Sequence, residues 1–386
     1  MKSFVFNTSK SIINELGALK RIGNICREQA ISRPLIITDS GIVQLGMLSM
    51  LEDALDSADM PYCSFTGVVA DPHEAIVYEA VEQAKSQGVD GIIGLGGGSS
   101  MDTAKLVALM AKSGEKLADI YGVEQVKGHR LPLILIPTTA GTGSEVTAVA
   151  IVTTGETTKM GVVSSQLYPD VAVLDAELTV GLPPHITAMT GVDAMVHAIE
   201  AYTSIHKKNL YSDMLARESL RLLSANIQQA THNGTDIVAR QAMLLGACIA
   251  GQAFANSPVA AVHALAYPLG GYYHLPHGLS NSLMLPSVLR FNASEAKDWY
   301  AELAEIVIPS EKLADTAALK CEQFIDYLVE LIEDLKLPAT LKEAGVSESD
   351  LPILAEAAML QQRLLVNNPS PVNEGDALKI YRAAYK

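Results

Sequence analysis

The sequence lacks the features that mark several classes of protein. It has four cysteines in 386 residues and none of them forms a Cys-x-x-Cys pair, so we expect reduced, packed cysteines in a cytoplasmic protein. Every apolar stretch of about 18 residues is interrupted by a charge or a breaker, so we expect no transmembrane helix. The N-terminus has no long apolar run after a basic start, so we expect no signal peptide.

Basic residues are also scarce. Lys and Arg number 28 against 43 Asp and Glu, which gives a formal net charge of −15. A nucleic-acid scaffold needs clustered Lys and Arg to bind phosphates, so we expect no nucleic-acid partner. An anionic cofactor remains compatible with this charge, because a local loop can bind phosphate within an acidic protein.

The length and the pattern of apolar residues predict two domains. In the first half, strands predicted at 34–38, 91–95, 131–136 and 171–174 alternate with helices such as 74–87 and 101–110. This alternation predicts a parallel sheet covered by helices. After the double proline at 183–184, long helical stretches dominate. We therefore predict an α/β nucleotide-binding domain over 1–182 and an all-α domain over 183–386.

A run of small residues, Gly96-Gly97-Gly98-Ser99-Ser100, lies between a predicted strand and a predicted helix. Glycines let the backbone approach a phosphate, and the helix N-terminus supplies positive potential. A P-loop is excluded because no Gly-Lys-Ser/Thr follows, and the Rossmann fingerprint fits poorly because its third glycine is missing. The run predicts a nucleotide phosphate site, with a strand–helix turn that binds no ligand as the alternative.

Two further segments could complete a nucleotide site. Asp39 ends an earlier strand, where its carboxylate could accept both ribose hydroxyls and repel a 2′-phosphate, which favours NAD over NADP. It could instead cap the following helix. The loop 137–145 is rich in hydroxyl groups and follows the third strand, although a polar turn has the same composition. Two such loops at the carboxyl ends of neighbouring parallel strands would mark a nucleotide site.

Two segments carry histidines in a pattern that suits a metal ion. Asp193 and His197 are four residues apart, so they share one face of a helix. His263 lies in an apolar helix, and His277 follows fourteen residues later, beyond a break predicted at Pro268 and two glycines. One carboxylate and three imidazoles suit a divalent first-row metal such as Fe²⁺ or Zn²⁺. The alternative is a set of hydrogen-bonded core residues.

Together these motifs resemble those of the iron-containing (group III) alcohol dehydrogenases. The resemblance covers nearly the whole chain and rests on residues 96–102, 137–145, 191–202 and 263–278. It implies the dehydroquinate synthase-like fold, in which a nucleotide-binding α/β domain precedes a helical domain. It also implies an NAD-dependent enzyme that forms a homodimer or a larger homo-oligomer.

The resemblance assigns roles to individual residues. The metal ligands would be Asp193, His197, His263 and His277; iron is the family expectation, and Zn²⁺ suits the same ligands. The NAD-binding positions would be Asp39, Gly97, Gly98, Ser99, Asp102, Thr138, Thr139, Thr142 and Lys159. Val149 and Phe254 would line the substrate pocket.

One position departs from the family pattern. Many members have His where this chain has Tyr267, and a tyrosine cannot titrate like an imidazole near neutrality. We therefore name Tyr267 and His274 as the candidate catalytic residues. His274 either takes over proton transfer or is a surface residue, in which case the proton leaves through ribose and water.

The reaction implied by the resemblance interconverts small primary alcohols and aldehydes by hydride transfer with NAD, assisted by a metal that acts as a Lewis acid. Hydroxy acids of the 4-hydroxybutyrate type remain an alternative, because Tyr267 changes the polarity of the pocket. A lyase like dehydroquinate synthase is a weaker alternative. Its phosphorylated substrate needs several basic residues, and 263–277 contains neither Lys nor Arg.

Overall fold

The computed structural model describes residues 3–155 and 158–386, and their contacts divide the chain into two units. The N-terminal unit comprises Asn7–Gly181, and the helical unit comprises Leu182–Lys386 together with the described residues that precede Asn7. This division lies beside the boundary predicted at 182/183. It differs in the first few residues, because the rings of Phe4 and Phe6 pack against Tyr211 of the helical unit.

The N-terminal unit alternates strands with helices. Its strands are β1 (Ser11–Asn14), β2 (Pro34–Asp39), β3 (Cys63–Val68), β4 (Gly91–Gly96), β5 (Gly122–Val123), β6 (Leu133–Pro137), β7 (Val149–Thr154), β8 (Thr158–Val163) and β9 (Val171–Leu174). Its α-helices are α1 (Ile22–Glu28), α2 (Ser40–Gln44), α3 (Met47–Asp56), α4 (Glu74–Ser86), α5 (Gly98–Ser113) and α6 (Leu117–Ile120).

Six of these strands form one sheet in the order β1-β9-β6-β4-β2-β3, and every neighbouring pair is parallel. The predicted parallel sheet is therefore confirmed. Its central strands β4 and β6 are buried along their whole length, because helices cover both faces of the sheet. The remaining strands form a small sheet in the order β5-β8-β7, in which β7 and β8 are antiparallel.

The helical unit contains nine α-helices in its described residues. They are α7 (Pro184–Thr203), α8 (Leu210–His232), α9 (Ile237–Asn256), α10 (Ala261–Tyr273), α11 (His277–Val307), α12 (Ala317–Asp334), α13 (Leu351–Ala358), α14 (Gln362–Leu365) and α15 (Glu374–Tyr385). Helix α7 packs against α8, α9 and α11, and α10 packs against α11. The predicted fold, an α/β region followed by a helical region, is confirmed.

Within the described chain, one helix is long and apolar enough to cross a membrane. This helix is α9. Over its most apolar 18 residues the mean hydropathy is 1.4, and 56% of this stretch is buried inside the protein. Its Arg240 is buried and donates hydrogen bonds to the Thr187 hydroxyl at 2.6 Å and to the Gly234 carbonyl at 2.9 Å. Because α9 also packs against α7 and α8, its composition is that of a core helix.

Candidate active site

The structure brings the four predicted metal ligands together inside the helical unit. Asp193 and His197 lie one turn apart on α7, His263 lies in the first turn of α10, and His277 is the first residue of α11. One ligand atom from each residue lies within 4.8 Å of the other three. The Nε2 atoms of His263 and His277 are 3.8 and 3.7 Å from Asp193 Oδ1.

The connection between α10 and α11 differs from the predicted break at Pro268. Helix α10 continues through this proline to Tyr273, and the capping residue His274 adopts a left-handed conformation with φ 53°. Pro276 then precedes α11, where its fixed φ suits the start of a helix. The connection between the two helices therefore contains one left-handed residue, and the backbone hydrogen bond lost at Pro268 does not end the helix.

A glycine permits the close approach of α11 to α7. A Cβ atom added to Gly278 would collide with the carbonyl oxygen of Met189 and would lie 3.4 Å from the Cβ of Asp193. Only a residue without a side chain fits there. Gly278 therefore allows the start of α11 to place His277 beside Asp193.

Glu200 orients His263, and it is a residue that the sequence interpretation missed. One carboxylate oxygen accepts a hydrogen bond from His263 Nδ1 at 2.6 Å, and the other accepts the Val262 backbone N–H at 2.7 Å. With its proton on Nδ1, the imidazole presents a lone pair on Nε2. The available signal was spacing, because Glu200 lies two helical turns beyond Asp193 on the same face of α7.

The Nε2 atom of His263 is buried and has no hydrogen-bond partner among the described residues. His263 and Asp193 are each 2% exposed. A buried polar atom without a partner costs free energy, unless a ligand that is part of the functional protein satisfies it. A metal ion held by the four clustered residues would do so.

Asp193 carries the negative charge of this cluster. Burial acts to raise the pKa of its carboxyl, but the His197, His277 and His263 imidazoles and a 2.6 Å hydrogen bond from Asn281 bring that pKa below its ordinary value. Asp193 is therefore an ionised carboxylate, as a metal ligand needs to be.

Two aromatic side chains lie beside the ligand cluster. Phe254, a predicted pocket residue, stacks on the His197 ring at a centroid distance of 4.3 Å. The Tyr267 ring lies 5.9 Å from the His277 ring, and the Tyr267 hydroxyl accepts a hydrogen bond from the Arg363 guanidinium at 3.5 Å. One apolar ring and one ring that carries a hydroxyl group therefore lie beside the cluster.

His274 lies at the exposed C-terminal end of α10, where its backbone N–H caps the helix by donating to the Gly270 carbonyl at 3.1 Å. Across residues 3–155 and 158–386, no hydrogen bond, ion pair or ring contact joins its side chain to the ligand cluster. The contacts therefore place Tyr267 next to the cluster. The catalytic roles of both residues stay predictions.

The glycine-rich run forms the junction of β4 and α5 in the N-terminal unit. Gly96 has φ 145°, a backbone conformation that residues with side chains rarely adopt. Gly98 lies against the loop that follows β6, because an added Cβ would be 3.1 Å from the Thr142 methyl group. Thr138, at the start of that loop, donates its N–H to the Gly96 carbonyl at 3.1 Å. The two predicted nucleotide loops are therefore neighbours.

Asp39 adjoins the same glycine run. Its Oδ2 accepts a hydrogen bond from the Ser100 hydroxyl at 2.9 Å, while Oδ1 accepts the N–H groups of Gly41 and Ile42 at 2.9 and 3.1 Å. The capping role that was the alternative for Asp39 is therefore observed. Its role in ribose binding stays a prediction.

The other predicted cofactor residues have varied environments. Thr138 is buried and its hydroxyl has no hydrogen-bond partner in the described chain, whereas Thr139 lies 3.7 Å from the position of a Cβ added to Gly97. Ser99 lies in the first turn of α5. Lys159 forms an ion pair with Asp71 at 2.6 Å.

A fully buried lysine, also missed in the sequence, joins α5 to the loop after β6. Lys105 Nζ contacts the Ser144 hydroxyl at 2.7 Å, the Val149 carbonyl at 2.7 Å and Asp102 Oδ1 at 3.3 Å. Burial lowers the pKa of Lys105, while the Asp102 carboxylate opposes that shift. Asp102 also accepts hydrogen bonds from Ser144 Oγ at 2.6 Å and from the Ile151 N–H at 3.0 Å. Lys105 and Asp102 therefore connect α5 to Ser144 in the loop after β6 and to the start of β7.

Comparison with known proteins agrees with this arrangement. The family described as "Iron-containing alcohol dehydrogenase" matches residues 9–176, and "Fe-containing alcohol dehydrogenase family, C-terminal" matches residues 187–385. The chain belongs to the iron-containing alcohol dehydrogenase family. The predicted family, and with it an enzyme that acts on alcohols, is confirmed.

Individual relatives cover nearly the whole chain. It is 38% identical over 374 residues to long-chain-alcohol dehydrogenase 1 of Geobacillus thermodenitrificans, covering 96% of this chain and 93% of the relative. The solved structure of a 1,3-propanediol oxidoreductase has a TM-score of 0.96 at 31% identity, with complete coverage of both chains. Sulfoacetaldehyde reductase from Bifidobacterium kashiwanohense, solved with NAD⁺, has a TM-score of 0.88 at 27% identity, covering 100% of this chain and 99% of that one.

Proposed function

We propose that this member of the family interconverts small primary alcohols and aldehydes, with NAD as the hydride carrier and a divalent metal at Asp193, His197, His263 and His277. The observation that carries the proposal is the buried His263 Nε2, which lacks a hydrogen-bond partner in the described residues and lies among the other three candidate ligands. Family membership favours iron, and the same ligand types suit Zn²⁺.

The donor set fits such a metal. Three imidazoles and one ionised carboxylate are ligands that first-row divalent cations accept, and Glu200 fixes the tautomer of His263 as a ligand requires. When bound, the metal supplies a Lewis acid for the alcohol or carbonyl oxygen, and NAD supplies the hydride acceptor. The side chain of His277 is 36% exposed, so small molecules can reach this edge of the cluster.

The protein's own residues would bind and orient the reactants. Phe254, stacked on His197, keeps one side of the cluster apolar. Tyr267 offers a hydroxyl on the side of His277, and we propose it as the polar wall of the substrate site. His274 is our candidate for the residue whose exposed imidazole accepts the proton. Val149 is our candidate for a second residue of the substrate pocket.

For the cofactor, we propose that the amides of Gly97, Gly98 and Ser99, at the N-terminus of α5, bind the pyrophosphate. Asp39 would bind the adenosine ribose, and Thr138, Thr139 and Thr142 would contact the nicotinamide half. Asp102 and Lys159 complete the predicted set. The sulfoacetaldehyde reductase solved with NAD⁺ supports the choice of cofactor.

We further propose that the enzyme acts in the cytoplasm as a homo-oligomer, without nucleic-acid or membrane partners. The net charge of −15 supports the absence of a nucleic-acid partner. The four cysteines are free, which is compatible with a reducing compartment. Gel filtration with light scattering tests the oligomeric state.

The experiment compares wild-type protein, reconstituted with Fe²⁺ or Zn²⁺, with His263→Ala. NADH absorbance is followed with ethanol, propanol and butanol, and metal content is measured by elemental analysis. We expect His263→Ala to lose both the metal and turnover. The matched control is His232→Ala, because His232 is exposed and bonded to Asp334 at 2.8 Å. Full turnover by metal-free His263→Ala would overturn the proposal.

A further inference from the structure

A guanidinium group lies beside the candidate substrate site. Arg363, on α14, places Nη2 3.5 Å from the Tyr267 hydroxyl. The ring of the same tyrosine lies 5.9 Å from the ring of His277, a candidate metal ligand. One tyrosine side chain therefore separates the ligand cluster from a positive charge.

That charge is not neutralised by a neighbouring carboxylate. Within the described residues, no Asp or Glu oxygen lies within 4.0 Å of the Arg363 guanidinium. The segment 261–289, which includes Tyr267 and His277, contains no Lys, Arg, Asp or Glu. In a chain of net charge −15, an exposed cation without an acidic partner beside this segment is available to a ligand.

The backbone of Arg363 is held in place. Asn367 donates hydrogen bonds to the Arg363 carbonyl and to the Val259 carbonyl, both at 3.1 Å, which ties α14 to the residues that precede α10. Helices α14 and α10 also pack against each other. The backbone that carries the guanidinium is therefore fixed in position, although the Arg363 side chain itself is exposed.

We propose that Arg363 and the Tyr267 hydroxyl form a subsite for an anionic group at the far end of the substrate. The substrate class is then a short aldehyde, or its alcohol, that carries a carboxylate or a sulfonate. A guanidinium matches both groups with two parallel N–H donors. It also offsets locally the repulsion that an acidic protein exerts on an anionic substrate.

This inference rests on the proposed function, because it assumes that the reacting oxygen lies at the ligand cluster. An anionic subsite favours hydroxy acids of the 4-hydroxybutyrate type, which the sequence analysis gave as alternative substrates. Tyr267, at a position where many members of the family have histidine, gives this alternative a structural basis. Its ring can lie along a short carbon chain while its hydroxyl shares the anion with Arg363.

The test measures kcat/KM of the metal-loaded enzyme for three aldehydes: succinic semialdehyde, sulfoacetaldehyde and neutral butanal. We expect at least one anionic aldehyde to exceed butanal by about tenfold or more, the size of one charge-assisted hydrogen bond. Arg363→Met should lower the anionic-to-neutral ratio by roughly 10- to 100-fold, mainly through KM, because the contact is remote from the reacting carbon. Arg363→Lys should retain part of the ratio.

The matched control is Arg290→Met, since Arg290 is exposed and paired with Asp326 at 3.3 Å; this variant should keep the wild-type ratio. A preference for one anion identifies carboxylate or sulfonate as the natural group and supports the proposal. If butanal is turned over as well as both anions and Arg363→Met leaves the ratio unchanged, the anionic subsite is wrong and the proposed function stands.

Calorimetric binding of isethionate and 4-hydroxybutanoate provides a readout that needs no turnover. Wild-type holoenzyme should bind at least one of them more tightly than Arg363→Met does. Equal affinities would overturn the subsite. If no alcohol or aldehyde reacts but Arg363-dependent binding is seen, the proposed function fails while the anion site stands.

Discussion

Glu200 Oε2 accepts a hydrogen bond from His263 Nδ1 at 2.6 Å, and the opposite ring nitrogen lies 3.8 Å from Asp193 Oδ1. A carboxylate on α7 thus orients an imidazole on α10, while a second carboxylate on α7 lies on its other side. Partners of this kind commonly change metal affinity without contacting the metal.

Glu200→Gln should weaken metal binding by roughly 10- to 100-fold. The two oxygens of Glu200 each accept one hydrogen bond, from His263 Nδ1 and from the Val262 N–H, so glutamine would place its NH₂ group against one of these two donors. Metal affinity is measured by competition with a chelator. Glu218→Gln is the control, because Glu218 is exposed and pairs with Arg221 on the surface of α8. Unchanged affinity in Glu200→Gln would show that the hydrogen bond does not matter for the metal.

Gly278→Ala should also weaken metal binding, for a steric reason. The added methyl group would meet the Met189 carbonyl oxygen, so the start of α11 must move away from α7 and take His277 with it. Gly181→Ala is the matched control, because an added Cβ has open space there and the backbone is not left-handed. We expect Gly278→Ala to lose metal in elemental analysis and Gly181→Ala to retain it. Equal metal contents would contradict this account.

The metal cluster was predictable because its strongest signal is local. Asp193 and His197 share a helix face at a spacing visible in the sequence, and His263 and His277 are histidines in an otherwise uncharged segment. Glu200 was not found, because its function depends on the approach of α10, which is a tertiary contact. The continuation of α10 through Pro268 was also missed, since packing of a buried helix can outweigh one lost hydrogen bond.

In the N-terminal unit, the buried central strands were predicted and the peripheral ones were not. Strands β4 and β6 are continuous apolar runs, as expected where helices cover both faces. Strand β3 lies at the sheet edge and buries only Phe65 and Val68, so its apolar signal is weak. Lys105 was unpredictable for another reason, because a lysine on a helix is normally exposed.

Asp39→Asn should separate helix capping from cofactor recognition. The amide oxygen can still accept from Gly41 and Ile42, so α2 keeps its cap, while the negative charge is removed. We expect KM for NAD to rise by about tenfold, which corresponds to the loss of one charged hydrogen bond, and the discrimination against NADP to fall. Steady-state kinetics with both cofactors measure this. If the preference for NAD over NADP in these kinetics is unchanged, Asp39 caps α2 and has no role in cofactor recognition.

The pH dependence of stability should show the contribution of Asp170, a carboxylate that is not part of the metal cluster. Burial acts to raise the pKa of Asp170, but hydrogen bonds from Arg130 at 2.6 Å and from the Leu133 N–H at 3.0 Å hold that pKa below its ordinary value. A lowered pKa in the folded state means that the ionised group stabilises the fold above its unfolded pKa of about 3.9. This stabilisation is lost as the pH falls from there toward the folded pKa.

Asp170→Asn should therefore lower the free energy of unfolding at pH 7 by about 1–3 kcal/mol, because Arg130 loses its charged partner. The difference from wild type should stay constant down to about pH 5 and shrink below about pH 4. Urea unfolding at a series of pH values measures it. Asp326→Asn is the control: its pair with Arg290 is exposed, so the change should stay below about 1 kcal/mol. A difference that persists undiminished at the lowest pH would mean that Asp170 acts through packing and not through its charge.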